Sequence, residues 1–123
     1  MAREFERSRR VGEQMQRDLS DLIRREVKDP RLGMVTITGV EVSKDFASAR
    51  VYVTVLGKEA DAVVEDLEIL NNAAGYLRGL LGKRIRLRMI PRLVFLYDQS
   101  IANGAHLSAL IDAAIDSDKH SKD

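Results

Sequence analysis

From Ala47 to Leu56 the chain alternates without a fault: Ala49, Val51, Val53 and Val55 fall in one phase, Arg50, Tyr52 and Thr54 in the other. Successive side chains of a strand point to opposite faces, so this segment reads as a β-strand with one dry face and one wet face. A sheet of that kind needs cover on one side only, and the cover must come from segments with helical period. The preceding run, Met34 to Ser43, is rich in Val, Ile and Thr. Val35 and Ile37 share one phase and Val40 and Val42 the other, and the switch at Gly39 predicts a β-bulge. Lys44-Asp45 begins a short turn, so the two runs form an antiparallel hairpin.

Helical period appears on both sides of the hairpin. Between about Ser8 and Lys28, Val11, Met15, Leu19 and Leu22 or Ile23 recur as a core stripe. Arg7, Arg10, Arg17, Arg24 and Lys28 lie on the opposite face, and Asp29-Pro30 ends the helix because the residue before proline is pushed out of helical geometry. After the hairpin, Val63, Leu67, Leu70, Ala74, Leu77 and Leu81 form a second stripe, with Asn71-Asn72-Ala73-Ala74-Gly75 in its middle. Glycine costs ~1 kcal/mol inside a helix and asparagine is a weak helix former, so two helices are expected to meet at a kink around Ala73 to Gly75, the second capped by Gly82.

Arg84-Ile85-Arg86-Leu87-Arg88 alternates strictly and reads as a strand with arginines on one face; Pro91 interrupts it, and Leu93 to Tyr97 is a second strand-like run. Asp98 or Ser100 is placed to cap a last helix carrying Ile101, Leu107, Leu110, Ile111, Ala114 and Ile115. The expected order is helix, strand, strand, helix, kink, helix, strand, helix: an α+β domain over residues 1–116, with a three-stranded sheet and its helices on one face. Residues 117–123 read as a flexible polar tail.

With 123 residues and 45% hydrophobic content, one modest core is affordable. The chain has no cysteine, which excludes disulfides, thiolate zinc sites and cysteine nucleophiles. Met1 to Arg10 is charged and lacks the apolar segment of a secretory signal, and no apolar run nears the ~20 residues of a membrane span, so a cytoplasmic protein without a membrane partner is expected. His106 and His120 have no metal-ligand or nucleophile pattern around them, and Glu65-Asp66 belongs to an exposed helical face. No catalytic residue, cofactor or metal is expected.

A net charge of +1 conceals strong segregation. Arg78, Lys83, Arg84, Arg86, Arg88 and Arg92 lie in a stretch with no acid, whereas Lys58 to Asn71 holds one base against Glu59, Asp61, Glu65, Asp66 and Glu68. A concentrated basic stretch in a near-neutral chain points to an anionic partner, and each of its cations is able to neutralise a phosphate. The basic face of the first helix is a weaker candidate, because Glu13, Asp18, Asp21 and Glu26 can pair with its arginines. The kink, Ala73-Ala74-Gly75, is a third: small residues at a helix start let a phosphate backbone approach. Gly79-Leu80-Leu81-Gly82 matches the GxxG clamp of KH domains in letters only, because Leu81 continues the core stripe and places these residues in a last helical turn. Tyr52 faces away from the buried phase, where cross-strand packing competes with base stacking.

Arg10-Val11-Gly12-Glu13-Gln14-Met15-Gln16-Arg17, then Glu26-Val27-Lys28-Asp29-Pro30-Arg31-Leu32-Gly33, then Val51-Tyr52-Val53-Thr54, Leu77-Arg78 and Arg88 to Asp98 together resemble the ribosome-binding factor A family, over about residues 7–116. The resemblance implies a type II KH-like fold in which an Ala-x-Gly kink, here Ala73-Ala74-Gly75, replaces the clamp loop. It implies a non-enzymatic factor that binds the immature small (30S) subunit through 16S ribosomal RNA, assists 5′-end processing, serves growth in the cold, and is released late with an assembly GTPase implicated. The stretch after Ile115 is short for the family, so no function that needs a long extension is expected. Two other readings compete. An ordinary KH single-strand binder is disfavoured by the lost clamp, while a protein-interaction adaptor fits the segregated arginines as well as an assembly factor does. A monomer is expected because no large apolar stripe lacks a partner.

Overall fold

The hairpin and a third strand build one sheet in the order β1-β2-β3, with β1 (Val35–Val42) antiparallel to β2 (Ser48–Val55) and β3 (Arg92–Tyr97) parallel to β2. The computed structural model describes the backbone of residues 2–102 and the side chains of residues 6–100. A parallel neighbour requires a crossover. Here it consists of a 3-10 turn (Ala60–Val63), α2 (Val64–Asn72) and α3 (Ala74–Leu81). The 25-residue α1 (Ala2–Glu26) precedes the sheet, and α4 (Gln99–Ala102) follows it. This is the expected order, and the fold is α+β and KH-like.

The alternation of β2 is realised in full: Ala49, Val51, Val53 and Val55 are buried, joined from the flanking strands by Ile37, Leu93 and Phe95. Against this face pack Met15, Leu19, Leu22 and Ile23 of α1 and Leu70, Leu77 and Leu81 of the crossover. The register shifts between Ile37 and Gly39, so Val35, Ile37, Val40 and Val42 all keep to the buried side. On the other face the Tyr52 hydroxyl donates to Glu41 across the strands at 3.3 Å, and Arg50 lies 3.6 Å from the same carboxylate.

Several boundaries and roles differ from expectation. Helix α1 ends at Glu26, so Lys28 is in the following loop and not on the helical face. Arg84 to Arg88 form no strand: the segment pairs with no strand of the sheet and is an irregular loop that returns the chain from α3 to β3. Gly82 caps α3 as expected but keeps right-handed helical geometry, φ −61°. Asp98 does cap α4, accepting the Ser100 N–H at 3.0 Å, and its other oxygen bonds the Thr38 hydroxyl at the bulge. The rest of the expected last helix, both histidines and residues 117–123 lie outside the described residues.

Asp66 overturns the reading of Glu65-Asp66 as an exposed pair. Glu65 is exposed, but Asp66 is fully buried, accepting the Gly33 N–H at 2.9 Å and pairing with Lys58 Nζ at 2.8 Å. Its place three residues after Val63 and four before Leu70 puts it on the core stripe. Its partners hold its carboxyl below the usual range even though burial itself pushes it up. Asn71 has a similar structural task. Its side-chain amide accepts the Phe95 N–H at 2.8 Å and donates to the Phe95 carbonyl at 3.2 Å, which closes the outer edge of β3.

Candidate nucleic-acid interface

Helix α3 joins two of the candidate regions, the kink at its start and the basic loop at its end. At the kink, Ala73 has φ −89° and ψ 0°, and its N–H is shared between the carbonyls of Ile69 and Leu70 at 3.1 Å each. Regular bonding resumes at once, with Leu77 N–H on the Ala73 carbonyl at 2.9 Å. The break is thus one residue wide, where the bonding pattern tightens, and the Ala73 N–H is not free for an anion. Ala73 and Ala74 pack partly against the core and Gly75 is exposed, with open space where a Cβ would stand. Gly79 sits inside α3, as the sequence implied, so no GxxG loop exists here.

Beside the kink is a cleft of about 380 Å³, bounded on one side by Glu26, Lys28 and Asp29 and on the other by Asn72, Ala73 and Tyr76. Tyr76 is 56% exposed and its hydroxyl donates to Glu26 Oε1 at 3.0 Å, which pushes the phenol up from its ordinary value. Asp29 is engaged elsewhere: it accepts the Arg31 N–H at 2.9 Å and the Arg31 guanidinium at 2.7 and 3.0 Å, and these bonds bring its carboxyl down to about 2. Sequence reasoning found the kink and Lys28 but not Tyr76 or Glu26. An aromatic directly after the small-residue run, outside the apolar stripe, was the available signal.

The six basic residues of the arginine-rich stretch divide into two sets. Arg78 and Arg84 hold the loop in place through bonds within the protein. Arg78 Nε donates to the Ile90 carbonyl at 2.8 Å, and Arg84 pairs with Asp21 at 2.9 Å and Asp18 at 3.7 Å on α1. Lys83, Arg86, Arg88 and Arg92 are exposed and form no ion pair with a described residue. Ile85 and Leu87 are half-buried between them, so the sequence alternation survives as a loop that turns its arginines outward.

The first helix is mixed as well. Asp21 takes Arg24 at 3.1 Å and Arg25 at 2.9 Å as well as Arg84, and the hydrogen bonds from Arg25 and then Arg84 keep its carboxyl below the usual range. Arg17 donates to Gln14 at 2.7 Å, and the Arg7 guanidinium stands 5.1 Å above the Phe46 ring. Arg10 is exposed and forms no ion pair with a described residue. Through Arg84 the loop is seated against α1, and the end of α1 reaches the kink through Glu26, with Lys28 in the loop just past it. The structure thus sets both the loop and the kink against α1, while among the described residues Arg7, Arg10 and Arg17 show no contact with either.

Residues 7–111 match the family model described as Ribosome-binding factor A. The ribosome-binding factor A of Pseudomonas paraeruginosa is 57% identical over 124 residues, spanning 100% of this chain and 97% of that protein. Among solved structures, the crystal structure of ribosome-binding factor A from Thermus thermophilus is similar with a TM-score of 0.64 at 33% identity, over 73% of this chain and 94% of that one. A Thermus thermophilus homology model fitted into the cryo-EM map of a 30S–ribosome binding factor A complex is similar with a TM-score of 0.56 at 37% identity, over 68% of this chain and 87% of that one.

Proposed function

This chain belongs to the ribosome-binding factor A family, and from that premise we propose that it binds the immature small ribosomal subunit in the cytoplasm as a monomer, through 16S rRNA. It acts there without catalysis, assisting late assembly and 5′-end processing, including in the cold, and leaves with the help of an assembly GTPase. The observation that carries the reading is the set of four exposed cations, Lys83, Arg86, Arg88 and Arg92, without acidic partners among the described residues. They lie on a loop clamped to α1 by Arg84. Folded RNA offers closely spaced phosphates, and a fixed array of cations meets them with little ordering cost. The relative seen in a 30S complex supports the same partner.

The test is co-sedimentation with immature small subunits across a range of salt. Binding to phosphates releases counterions, so affinity falls as salt rises. Replacing Lys83, Arg86 and Arg88 together by alanine flattens the slope of log affinity against log salt by about 2–3, at ~0.7–0.9 per lost phosphate contact. An unchanged slope in a variant with a native circular dichroism spectrum sinks the role given to the loop. Tight binding to a purified acidic protein, with none to subunits, favours the adaptor reading instead.

A further inference from the structure

The cleft at the kink differs in chemistry from the arginine loop. We propose that it accepts one unstacked guanine base of an RNA strand, with Tyr76 as the stacking surface and Glu26 as the acceptor for the base edge. The inference rests on the small-subunit reading above and specifies where the RNA is read and not merely held.

Tyr76 leaves more than half of its surface in water at the rim of the cleft. Its ring is nevertheless tethered, because the hydroxyl donates to Glu26 Oε1 at the end of α1. An exposed aromatic fixed at both ends is a stacking surface that loses little freedom on binding. The cleft volume of about 380 Å³ falls at the small end of the ~300–1,000 Å³ range of small-ligand sites. Ala73, on its wall, leaves room for a flat ligand.

The polar groups select the base. Asp29 is occupied by Arg31, whereas Glu26 Oε2 has no partner among the described residues. A carboxylate accepts hydrogen bonds and donates none. Guanine offers two adjacent donors, N1–H and N2–H, on its Watson–Crick edge, which match a carboxylate. Adenine and cytosine offer one amine beside a ring acceptor, and uracil sets its N3–H between two carbonyls that repel the carboxylate. Lys28, exposed and without an ion pair to a described residue, stands beside the cleft where the phosphate of the same nucleotide would lie.

The full chain, labelled with nitrogen-15, is titrated with GMP, AMP, CMP and UMP in turn. GMP is expected to move the amide resonances of residues 26–29 and 72–76 at lower concentration than the other three. Tyr76→Phe, which keeps the ring but frees it from Glu26, weakens the response without abolishing it, Tyr76→Leu loses it, and Glu26→Gln loses the preference for GMP. Equal responses to all four nucleotides, or responses confined to residues 83–92, overturn the proposal in favour of phosphate binding alone. In co-sedimentation with immature small subunits, Tyr76→Leu is expected to weaken binding about 5- to 150-fold, the span of base stacking on one aromatic, with an unchanged salt slope. Parent-like affinity of Tyr76→Leu overturns the base site and leaves the small-subunit reading standing. Failure of the parent chain to co-sediment defeats that reading instead, and the nucleotide titration then decides the cleft on its own. Should Tyr76→Leu lose its native spectrum, the Glu26→Gln variant carries the same test.

Discussion

The two ends of α3 handle charge in opposite ways. Past its C-terminus, Lys83, Arg86, Arg88 and Arg92 face solvent without an ion pair to a described residue, while Arg78 and Arg84 seat the loop. Past its N-terminus, the cleft at the kink balances Lys28 and Arg31 against Glu26 and Asp29, and its distinguishing group is an exposed ring. Contacts to phosphate fix position and contribute salt-dependent affinity, while contacts to bases carry sequence information. One short helix thus separates a surface suited to holding RNA from a cleft suited to reading it, and α1 supports both.

That shared support is the place to break the comparison. Gly12 lies where α1 crosses β1 just beyond the bulge, and a Cβ there would stand 2.7 Å from the Val40 carbonyl oxygen. The obstacle is backbone, which cannot turn aside, so Gly12→Ala is expected to cost ~1–3 kcal/mol of stability. Urea denaturation measures it, and both surfaces should weaken together. An undiminished midpoint would mean that α1 is not seated on β1 as described.

Arg84→Ala separates the two surfaces. It removes a partly exposed pair, of little weight for overall stability, and frees the loop from α1 without touching the cleft. Subunit affinity should fall while any GMP response at residues 72–76 persists. A loss at both places would show that the loop and the kink act as one unit. The same seat has a defined acid limit. The hydrogen bonds from Arg25 and Arg84 hold the Asp21 carboxyl below the usual carboxylate range, so the pairing is fully present above that range and is lost as pH falls through the lower folded value. Loop amide shifts followed from pH 6 downward should stay constant until below about 4, the ordinary carboxylate range; a transition near 5–6 would assign the seat to another group.

The smallest effect is expected within α3 itself. Gly79 is exposed with nothing within 4 Å of a Cβ, so Gly79→Ala should stabilise the chain by up to ~1 kcal/mol and leave subunit binding intact. Lost binding in that variant would restore Gly79-Leu80-Leu81-Gly82 as a clamp and remove the kink from consideration.

The amino-acid sequence determined the elements whose signal is periodic: the two-faced β2, the bulge before Gly39, the core stripes of α1 and the crossover, the break at Ala73 and the Asp98 cap. Period is local, set by how side chains alternate or wind about one segment's own axis. The segment Arg84–Arg88 shows the limit. Its alternation is genuine, but a strand exists only where a neighbouring strand supplies hydrogen bonds, and the fold pairs this segment with neither outer edge of the sheet. Charge has the same limit. Composition placed six cations together, yet only the packing of loop on helix decided that Arg84 meets Asp21, that Arg78 meets a carbonyl, and that Arg86 and Arg88 meet water. Asp66 and Tyr76 are the converse cases, an acid drawn inside because Lys58 and Gly33 arrive from other segments and a ring left outside because Glu26 arrives to hold it. Those meetings join residues far apart in the chain, and only the tertiary fold brings them within bonding distance.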